Sequence, residues 1–419
     1  MENSLISIIL FLQIFISVFF ISISGYFFRK VFITKNHTIK FEEDAFFGFI
    51  FIGLVSLFIN FFFPLTKIIN TLFFILIILA AYYQNYFKRI DQKIFKSSIL
   101  ISLIAFILIL SSTVNRPDAW LYHLPYSRIL NDYKIIIGAG NLDPRFSHIS
   151  IFQYIASFFN NYIFSLNGIL IPISLVSSFF FIYSLKTFSF LFKEKKRIPA
   201  YIIFILLLIV LYSFNRYSEY GNDAQPHIYY ILITIFILKN FKEFENITLL
   251  KELSILSLFT FLMKSTFLII SFIPFVIFIL SKNKKKFFKS IFFFIYSFIF
   301  ILWLIKNFLI SGCLIYPINF SCSNNVLWKS KDLKENILTN EAWSKGWPDY
   351  SNKKDIKPKE YIKNFNWIET WFENHFKYVF EKILPIILLI IINFFLFYFS
   401  VELKINIFEK NYLYFFFFN

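Results

Sequence analysis

Apolar runs long enough to cross a bilayer alternate with short polar tracts along almost the whole chain. About 20 consecutive apolar residues in a helix span the hydrocarbon core of a membrane. By this criterion the pattern predicts about 11 transmembrane or re-entrant helices, near residues 4–28, 45–63, 68–84, 97–112, 168–192, 198–214, 226–240, 253–262, 266–281, 290–310 and 379–400. We therefore expect an all-α integral membrane fold with outer-face loops and one polytopic domain over residues 1–400.

The composition supports this class. Of the 419 residues, 58% are hydrophobic and 65 are Phe, which is more apolar surface than a soluble domain can bury. The N-terminus has neither a basic segment nor a small-residue cleavage site. We therefore expect residues 4–28 to be a span and not a cleaved signal peptide.

The net charge of +17 comes from Lys and Arg in short tracts between the predicted spans. This distribution is typical of the positive-inside rule, so it favours membrane topology over nucleic-acid binding. If every basic tract is cytoplasmic, four segments lie on the outer face: residues 113–167, 215–225, 263–265 and 311–378. These segments hold the candidate functional residues.

Two apolar segments allow more than one topology. Residues 253–281 must cross and return although both halves are short, and Lys264 lies between them. The segment is either a helix hairpin with a snorkelling lysine or a re-entrant pair that places Lys264 in a polar cavity. Residues 148–165 are interrupted by Gln and Asn, so we expect an interfacial or re-entrant helix packed against the loop before it.

Residues 113–150 form a polar island between two apolar blocks. The island concentrates charged and titratable side chains, namely Arg116, Asp118, His123, Arg128, Asp132, Asp143, Arg145 and His148. A chain embedded in lipid has few places where acid, base and cation can meet in water. The first large outer loop, residues 113–167, is therefore the candidate active site.

Asp118 has two open interpretations. It follows Asn-Arg-Pro, a sequence typical of a helix start, where a carboxylate complements the helix dipole. Trp120, Tyr122 and Tyr126 follow it, and such aromatics suit both the water–lipid boundary and sugar rings. The residue is thus either a structural cap or a functional acid.

Two groups of motifs resemble one protein family. DAWLYHLP (118–125), GAGNLDPRF (138–146) and S-x-F-Q (150–153) resemble the first outer loop of GT-C-type bacterial membrane glycosyltransferases. They are most similar to a poorly characterised branch linked with surface-polysaccharide synthesis. WLIKN (303–307) and SGCLIYP (311–317) resemble a second signature of that branch. The resemblance covers roughly residues 100–350.

The resemblance implies sugar transfer from a polyprenyl-phosphate donor to a glycan or lipid acceptor. The reaction would take place at the periplasmic face of the bacterial inner membrane. Asp118 would be the general base, or would help to hold a metal. Cationic candidates for the donor phosphate are Arg116, Arg145, His123, His148 and Lys264. Trp120, Tyr122 and Tyr126 would line the acceptor groove.

The sequence departs from the commonest family pattern because no second acid neighbours Asp118. Glu219 or Asp223 could supply that carboxylate, although Asp223 also fits a helix N-cap. Whether the protein uses a divalent metal ion as a cofactor therefore stays open. The five His residues show no metal-site spacing, and the absence of a Gly-rich phosphate loop argues against ATP hydrolysis.

Other function classes stay open. The chain could be a non-catalytic carrier of lipid-linked oligosaccharide, a flippase or polymerase partner, or a degenerate family member. Transporters tend to show internal repeats and charges deep in several spans. The sequence shows no internal repeat and its charges cluster on one side of the predicted topology, which favours an enzyme.

Cys313 and Cys322 are the only cysteines, and both fall in the predicted outer loop 311–378. Two Cys in an oxidising compartment commonly pair, so we expect a disulfide with a structural role, with two free thiols as the alternative. The rest of this loop is Trp-rich and soluble in character. Residues 401–419 begin an apolar run too short to cross, which predicts a truncated or interfacial tail.

Overall fold

The computed structural model describes residues 2–111, 118–148, 150–212, 221, 223–241, 245–330, 333–347 and 356–400. Within these ranges the regular structure is helical, and strand pairing is limited to two isolated bridges, Asn161–Ser165 and Cys313–Cys322. The chain divides into two compact units. The first comprises Met1–Tyr316 and Ser321–Lys329, and the second comprises Pro317–Phe320 and Ser330–Asn419.

Among the described residues, five helical stretches are long and apolar enough to cross a membrane: Ile6–Ile33, Phe41–Phe62, Gln92–Leu110, Gly168–Lys193 and Ile291–Ser311. Four apolar helices are shorter: Lys67–Tyr83, Arg197–Tyr212, Ala224–Lys239 and Ser265–Leu280. The class is therefore that of a helical, multi-pass membrane protein on length and composition. The finer count of about 11 crossings stays a prediction.

The described part of the first unit contains thirteen α-helices: α1 Glu2–Phe28, α2 Phe41–Phe62, α3 Lys67–Tyr83, α4 Gln92–Leu110, α5 Leu124–Asp132, α6 Ile151–Phe158, α7 Ile171–Lys193, α8 Arg197–Tyr212, α9 Ala224–Lys239, α10 Ile247–Met263, α11 Phe272–Leu280, α12 Lys284–Phe288 and α13 Ile291–Ser311. Two π-helical turns occur at Arg29–Ile33 and Ala119–His123. The second unit contains α14 Leu333–Ser344, α15 Pro358–Tyr361 and α16 Trp367–Ser400.

Helices α1 and α2 pack with their backbones in close approach, and two glycines permit it. A Cβ at Gly25 would lie 1.6 Å from the Asp44 carbonyl oxygen, and one at Gly48 would lie 1.9 Å from the Ile21 carbonyl oxygen. Small residues at such positions are what allows helices to approach closely in membranes. The pair is the framework on which the polar regions are placed.

Helix α2 connects two polar regions at its opposite ends. Its 22 residues correspond to roughly 33 Å at 1.5 Å per residue. At its C-terminal end the Asn60 amide donates to the Tyr133 carbonyl at 3.0 Å, just after α5. At its N-terminal end lie Glu42, Glu43 and Asp44. The sequence predicted a span from residue 45, but the helix begins at Phe41 and includes these three acids.

Two of the three acids, Glu43 and Asp44, belong to a buried ion network. Arg29 bonds Asp44 at 2.9 Å and Glu43 at 3.3 Å, and its other terminal nitrogen bonds Glu252 of α10. His37 bonds Asp44 and Lys239 bonds Glu43, so the buried ion network consists of Arg29, His37, Glu43, Asp44, Lys239 and Glu252. Glu42 pairs separately with Lys186, whose side chain is about half exposed. Charges therefore cluster at this end of α2 as well as in the predicted outer segments.

The segment 148–165 forms a short buried helix. Helix α6 has eight residues, too few to cross a bilayer. Its start is fixed by a capping box in which the Ser150 hydroxyl accepts from a backbone N–H and the Gln153 side chain accepts from the Ser150 N–H. The Asn70 amide donates to the Ser157 carbonyl at 3.1 Å and the Asn160 carbonyl at 3.0 Å. These hydrogen bonds satisfy backbone carbonyls at the C-terminal end of α6, which is buried in the first unit.

Candidate functional site

The candidate base lies at the entrance to a π-helical turn. Asp118 is the residue before the turn Ala119–His123, and its carboxylate makes no capping hydrogen bond there. The structure therefore shows no capping hydrogen bond for this side chain in the turn, and its roles at the helix start and as a functional acid both stay predictions. The carboxylate is exposed to solvent. Single π-helical turns occur frequently at functional sites because they re-aim side chains.

Tyr122 sits beside this carboxylate. Burial raises the pKa of Tyr122 to about 12, with further contributions from the charges of Asp118 and Asp223 and from a hydrogen bond to Asp118. The phenol is therefore a hydrogen-bond donor to Asp118 at neutral pH. The Arg145 guanidinium lies over the same ring, 5.1 Å from its centroid, so acid, phenol and cation meet around one aromatic side chain.

His123 is buried next to the same two acids. Burial lowers the pKa of His123 to about 4, although the negative charges of Asp118 and Asp223 act in the opposite direction. The ring is thus neutral at pH 7. Its Nδ1 lies 3.2 Å from the side-chain nitrogen of Gln153. With this amide orientation Nδ1 accepts, and the proton of the neutral ring is assigned to Nε2.

Arg145 is held by a bidentate ion pair. Its Nε and Nη2 atoms lie 3.0 and 2.8 Å from the two Asp143 oxygens. This fork geometry fixes the guanidinium plane and leaves Nη1 outside the pair. The Arg145 side chain is 45% exposed, so a ligand can reach it. Arg128, by contrast, pairs with Asp132 on the exposed surface of α5.

Lys264 and Asp223 form a second ion pair at 2.6 Å. Asp223 is the N-cap residue of α9, as the sequence predicted, but its carboxylate makes no capping hydrogen bond and pairs with Lys264 instead. Lys264 is an extended residue between α10 and a 3-10 turn over Ser265–Ser271. Its side chain is 39% exposed. The helix therefore breaks at Lys264 and presents the ammonium group to Asp223.

These groups form one arrangement, which we call the loop cluster: Asp118, Tyr122, His123, Asp143, Arg145, Asp223 and Lys264. The charges of both Asp118 and Asp223 act on Tyr122 and on His123. Asp223 is therefore the described acid that accompanies Asp118. The other proposed second acid, Glu219, and the proposed phosphate ligand Arg116 lie outside the described residues.

His148 lies at the edge of the loop cluster. Its ring packs edge-on against Tyr316, with centroids 4.7 Å apart. Burial and the charge of Lys264 lower the pKa of His148 to about 4, although part of the residue is exposed. Neither His123 nor His148 is therefore a cation at neutral pH. Arg145 and Lys264 are the cations that the described part of the cluster provides.

The predicted acceptor-lining aromatics are placed differently from one another. Trp120 is 62% exposed and Tyr122 is partly exposed. Tyr126 is buried against Phe146, with ring centroids 5.3 Å apart. Tyr126 is a core residue of α5 and does not line an accessible groove, because the helix turns it away from the solvent. Trp120 and Tyr122 remain the accessible pair.

The two motif regions meet in the folded chain. The Gly138 N–H donates to the Leu309 carbonyl at 2.8 Å, and the Asn141 amide donates to the Trp328 carbonyl at 3.1 Å. Gly138 has a φ of +74°, a conformation that glycine adopts without steric cost. The GAGN turn therefore packs on the end of α13, where the WLIKN and SGCLIYP segments lie.

Lys306 of the WLIKN segment is a buried lysine that sequence reasoning did not assign. Its Nζ lies 3.6 Å from the Trp303 ring centroid and 3.2 Å from Asn307 Oδ1. The Tyr154 ring centroid is 6.0 Å away, and Tyr154 follows Gln153, the partner of His123. Gln153 was also unassigned, although it ends the S-x-F-Q motif, which was the signal that pointed to it.

Cys313 and Cys322 form a disulfide with an S–S distance of 2.07 Å. The bridge closes a short turn directly after α13, and the Leu314 N–H donates to the Ser321 carbonyl across it at 2.9 Å. The Ser311 hydroxyl accepts from the Cys313 N–H at 3.2 Å. The bridge thus fixes the chain that follows the second motif.

Within the described ranges no group of three His, Cys, Asp or Glu side chains is arranged to hold a metal ion. The chemistry that the described residues offer is proton transfer, from a carboxylate and a neutral imidazole, together with two cations held in ion pairs.

Comparison with known proteins gives one match. No curated protein matches the chain. No solved structure matches it either. A family model described as "Domain of unknown function (DUF8201)" matches residues 7–418. Since the match spans both motif regions and nearly the whole sequence, the chain belongs to the DUF8201 family.

Proposed function

We propose that this protein is a GT-C-like membrane glycosyltransferase of the bacterial inner membrane. It transfers a sugar from a polyprenyl-phosphate donor to a hydroxyl group of a glycan or lipid acceptor at the periplasmic face. The observation that carries the proposal is the loop cluster, in which Asp118, His123, Arg145, Asp223 and Lys264 converge from four separate segments.

Asp118 takes the acceptor proton in this mechanism. The acceptor oxygen forms a new bond to the anomeric carbon, and the bond from that carbon to the phosphate oxygen breaks. The O–H proton passes to the carboxylate, and the electron pair leaves with the polyprenyl phosphate. Tyr122 donates a hydrogen bond to Asp118, which orients the carboxylate. A carboxylate that is exposed and makes no cap bond is free to face a substrate.

Arg145 and Lys264 hold the departing phosphate. Arg145 uses Nε and Nη2 for Asp143, and its Nη1 can donate to a phosphate oxygen without breaking that pair. Lys264 exchanges Asp223 for the phosphate, because an exposed ion pair has little net stability to lose. The negative charge that develops on the phosphate in the transition state strengthens both contacts.

The neutral His123 suits a hydrogen-bonding role and not that of a cation. The Gln153 amide donates to Nδ1, which holds the neutral ring near Asp118 and Asp223. Trp120 and the exposed Leu121 offer an apolar face beside it. Aromatic side chains that are exposed and also next to hydrogen-bonding groups suit sugar rings.

Mass spectrometry of the lipids that co-purify with the protein tests this function. Wild type, Asp118→Asn and the matched control Asp132→Asn are purified from the same host. We expect Asp118→Asn to retain a polyprenyl-phosphate sugar that the wild type and the control turn over on adding a membrane extract. Turnover by Asp118→Asn at the wild-type rate, or absence of such a lipid from all three proteins, would contradict the proposal.

A carrier of lipid-linked oligosaccharide is the second candidate, and the buried ion network favours it. Intramembrane charges often mark transport pathways, and Arg29, Asp44 and Glu43 lie within or at the ends of two candidate spans. The same experiment separates the two functions. A carrier would bind lipid-linked oligosaccharide equally in the wild type and in Asp118→Asn, with no turnover in either.

A further inference from the structure

A cavity with charged side chains in its wall lies at the end of α2 remote from the loop cluster. It has a volume of about 270 Å³ and is lined by Lys40, Glu42, Glu43, Tyr183, Lys186, Thr187, Phe190 and Lys239. At roughly 30 Å³ per water molecule, this volume would hold about nine waters, so the cavity is too large to be a packing defect. We call it the α2–α7 cavity.

The α2–α7 cavity opens on an apolar surface. Lys186 and Phe190 are one helical turn apart on α7, so they share a face. The Lys186 side chain is 51% exposed, and Phe190 and Leu185 beside it are also about half exposed. A candidate membrane span, Gly168–Lys193, contains all three. A charged side chain within such a span marks a functional site by default because it is costly in lipid.

The lining carries both signs of charge. Lys186 lies 2.5 Å from Glu42 and 3.1 Å from the Ser97 hydroxyl, and Lys239 bonds Glu43. Lys40 lies 3.6 Å from the same Glu43 and is 52% exposed. Three lysines thus face two glutamates. A ligand that carries both signs of charge can take the place of both partners of these ion pairs, whereas a simple anion or a simple cation can replace only one partner.

We propose that the α2–α7 cavity binds the headgroup of phosphatidylethanolamine. The phosphate lies against Lys40 and Lys186, the ethanolamine ammonium donates to Glu42 and Glu43, and the acyl chains lie along the exposed apolar face of α7. The ammonium brings three N–H donors that a choline headgroup lacks. A phosphatidylglycerol headgroup brings no cation to meet the glutamates. The cavity therefore distinguishes these three lipids by the chemistry of one group.

A neighbouring polar cavity supports a binding role for the α2–α7 cavity over a purely structural one. A second cavity of about 220 Å³ shares Lys40, Glu43 and Lys239 with the α2–α7 cavity, and it is also lined by Arg29 and Glu252. The Arg29 Nε atom is buried and has no hydrogen-bond partner within the described part of the chain. The ion network is thus wide enough to leave polar space on both sides of the Glu43–Lys239 pair.

Native mass spectrometry of the purified full chain tests the proposal. Phosphatidylethanolamine, phosphatidylcholine and phosphatidylglycerol with identical acyl chains are added separately, and the lipid adducts are counted. We expect wild type to retain phosphatidylethanolamine about tenfold more strongly than either other lipid, the ratio that about 1.4 kcal/mol produces. Equal retention of the three lipids, or stronger retention of phosphatidylglycerol, would overturn the proposal on wild-type protein alone.

Variants locate the binding. Lys186→Gln and Glu42→Gln should each reduce the phosphatidylethanolamine preference severalfold, because each removes one partner of the zwitterion. Lys193→Gln is the matched control, since Lys193 lies on the same helix, is exposed and does not line the cavity. An unchanged preference in a Lys186→Gln protein of wild-type helix content would place the lipid elsewhere. None of these residues belongs to the loop cluster. The test of lipid binding is therefore independent of the proposed transferase function.

Discussion

Lys264 Nζ lies 2.6 Å from Asp223 Oδ1 and joins the break after α10 to the start of α9. Both side chains are substantially exposed, at 39% and 76%. The pair therefore stabilises the fold little, because exposed ion pairs contribute about 0–1 kcal/mol. The pair holds an ammonium group in the loop cluster, next to Asp223 and close enough to His148 to lower its pKa, and under the proposed function a phosphate replaces the carboxylate there.

Substitutions of Lys264 and Asp223 should have opposite effects on how much donor lipid the protein retains. Lys264→Gln should weaken binding of the polyprenyl-phosphate lipid, whereas Asp223→Asn should leave it unchanged or strengthen it because the ammonium is released. Co-purified lipid per protein, measured by mass spectrometry, gives the comparison. Lys282→Gln in the exposed Lys282–Glu245 pair is the control and should change nothing. Equal losses in both loop-cluster variants would show that the pair acts only on structure.

The depressed pKa of His123 predicts a loss of stability in acid. Its pKa falls from 6.5 to about 4 on folding because of burial. Below pH 6.5 the unfolded chain binds a proton that the folded chain does not, so stability falls between pH 6.5 and pH 4 and is constant below that range. The full contribution is about 3 kcal/mol at roughly 1.4 kcal/mol per pKa unit.

His123→Gln removes this titration but keeps a group that can bond Gln153. The thermal unfolding midpoint of wild type should therefore drop further between pH 7 and pH 4.5 than that of the variant. His148 titrates in both proteins, so its contribution to the pH dependence cancels when the two unfolding midpoints are compared. Parallel curves for the two proteins would mean that the folded state accommodates a charged His123.

Arg145→Lys should weaken donor retention although the positive charge is kept. A lysine cannot hold Asp143 with two parallel bonds and also present a third donor, which the guanidinium does. We expect a loss of about tenfold, as for about 1.4 kcal/mol of binding, with helix content unchanged. Arg128→Lys in the exposed pair with Asp132 is the matched variant. If neither substitution changes the amount of lipid that the protein retains, Arg145 does not contact the phosphate.

The sequence predicted the polar island and the helical membrane class, because both depend on local composition. It did not reveal which acid accompanies Asp118, since Asp223 is 105 positions away and only the packing of α9 brings it close. The same limit applies to the buried ion network. Arg29 and Glu252 are 223 positions apart, and neither has a local signature of burial.

Local patterns also misled at the start of α2. Phe41 is followed by two glutamates and an aspartate, and three acids in a row usually indicate a solvated loop. Here they occupy the first helical turn, where acids favour the helix dipole, and Arg29 and Lys239 neutralise them. Tyr126 was assigned to a groove for a related reason, because spacing alone does not tell which face of α5 is buried.

Loss of the Cys313–Cys322 disulfide should destabilise the protein without unfolding it. A bridge that closes a loop of this length, at a sequence separation of 9, contributes about 2–3 kcal/mol in the chain-entropy description. The doubly substituted Cys313→Ser/Cys322→Ser protein should show a lower thermal midpoint than oxidised wild type. Reductant should lower the wild-type midpoint to the same value. A midpoint that reductant leaves unchanged would contradict this contribution.

The α1–α2 contact gives the sharpest stability prediction. Gly48→Ala places a Cβ 1.9 Å from the Ile21 carbonyl oxygen, so the two helices must separate. Overpacking typically costs about 1–3 kcal/mol, and here the obstacle is backbone, which cannot rotate away. We expect a lower thermal unfolding midpoint. Because α2 connects both polar regions, we also expect both to be disturbed, which would be measured as reduced lipid retention.

Gly53→Ala on the same helix is the control for this substitution. The atoms nearest its Cβ would be side-chain carbons of Ile151 and Ile155, at 3.1 and 3.2 Å, and these can shift by a few tenths of an ångström. Its thermal midpoint should stay close to that of wild type. A Gly48→Ala protein as stable as Gly53→Ala would mean that α1 and α2 do not approach this closely, and α2 would then not set the positions of its two polar ends.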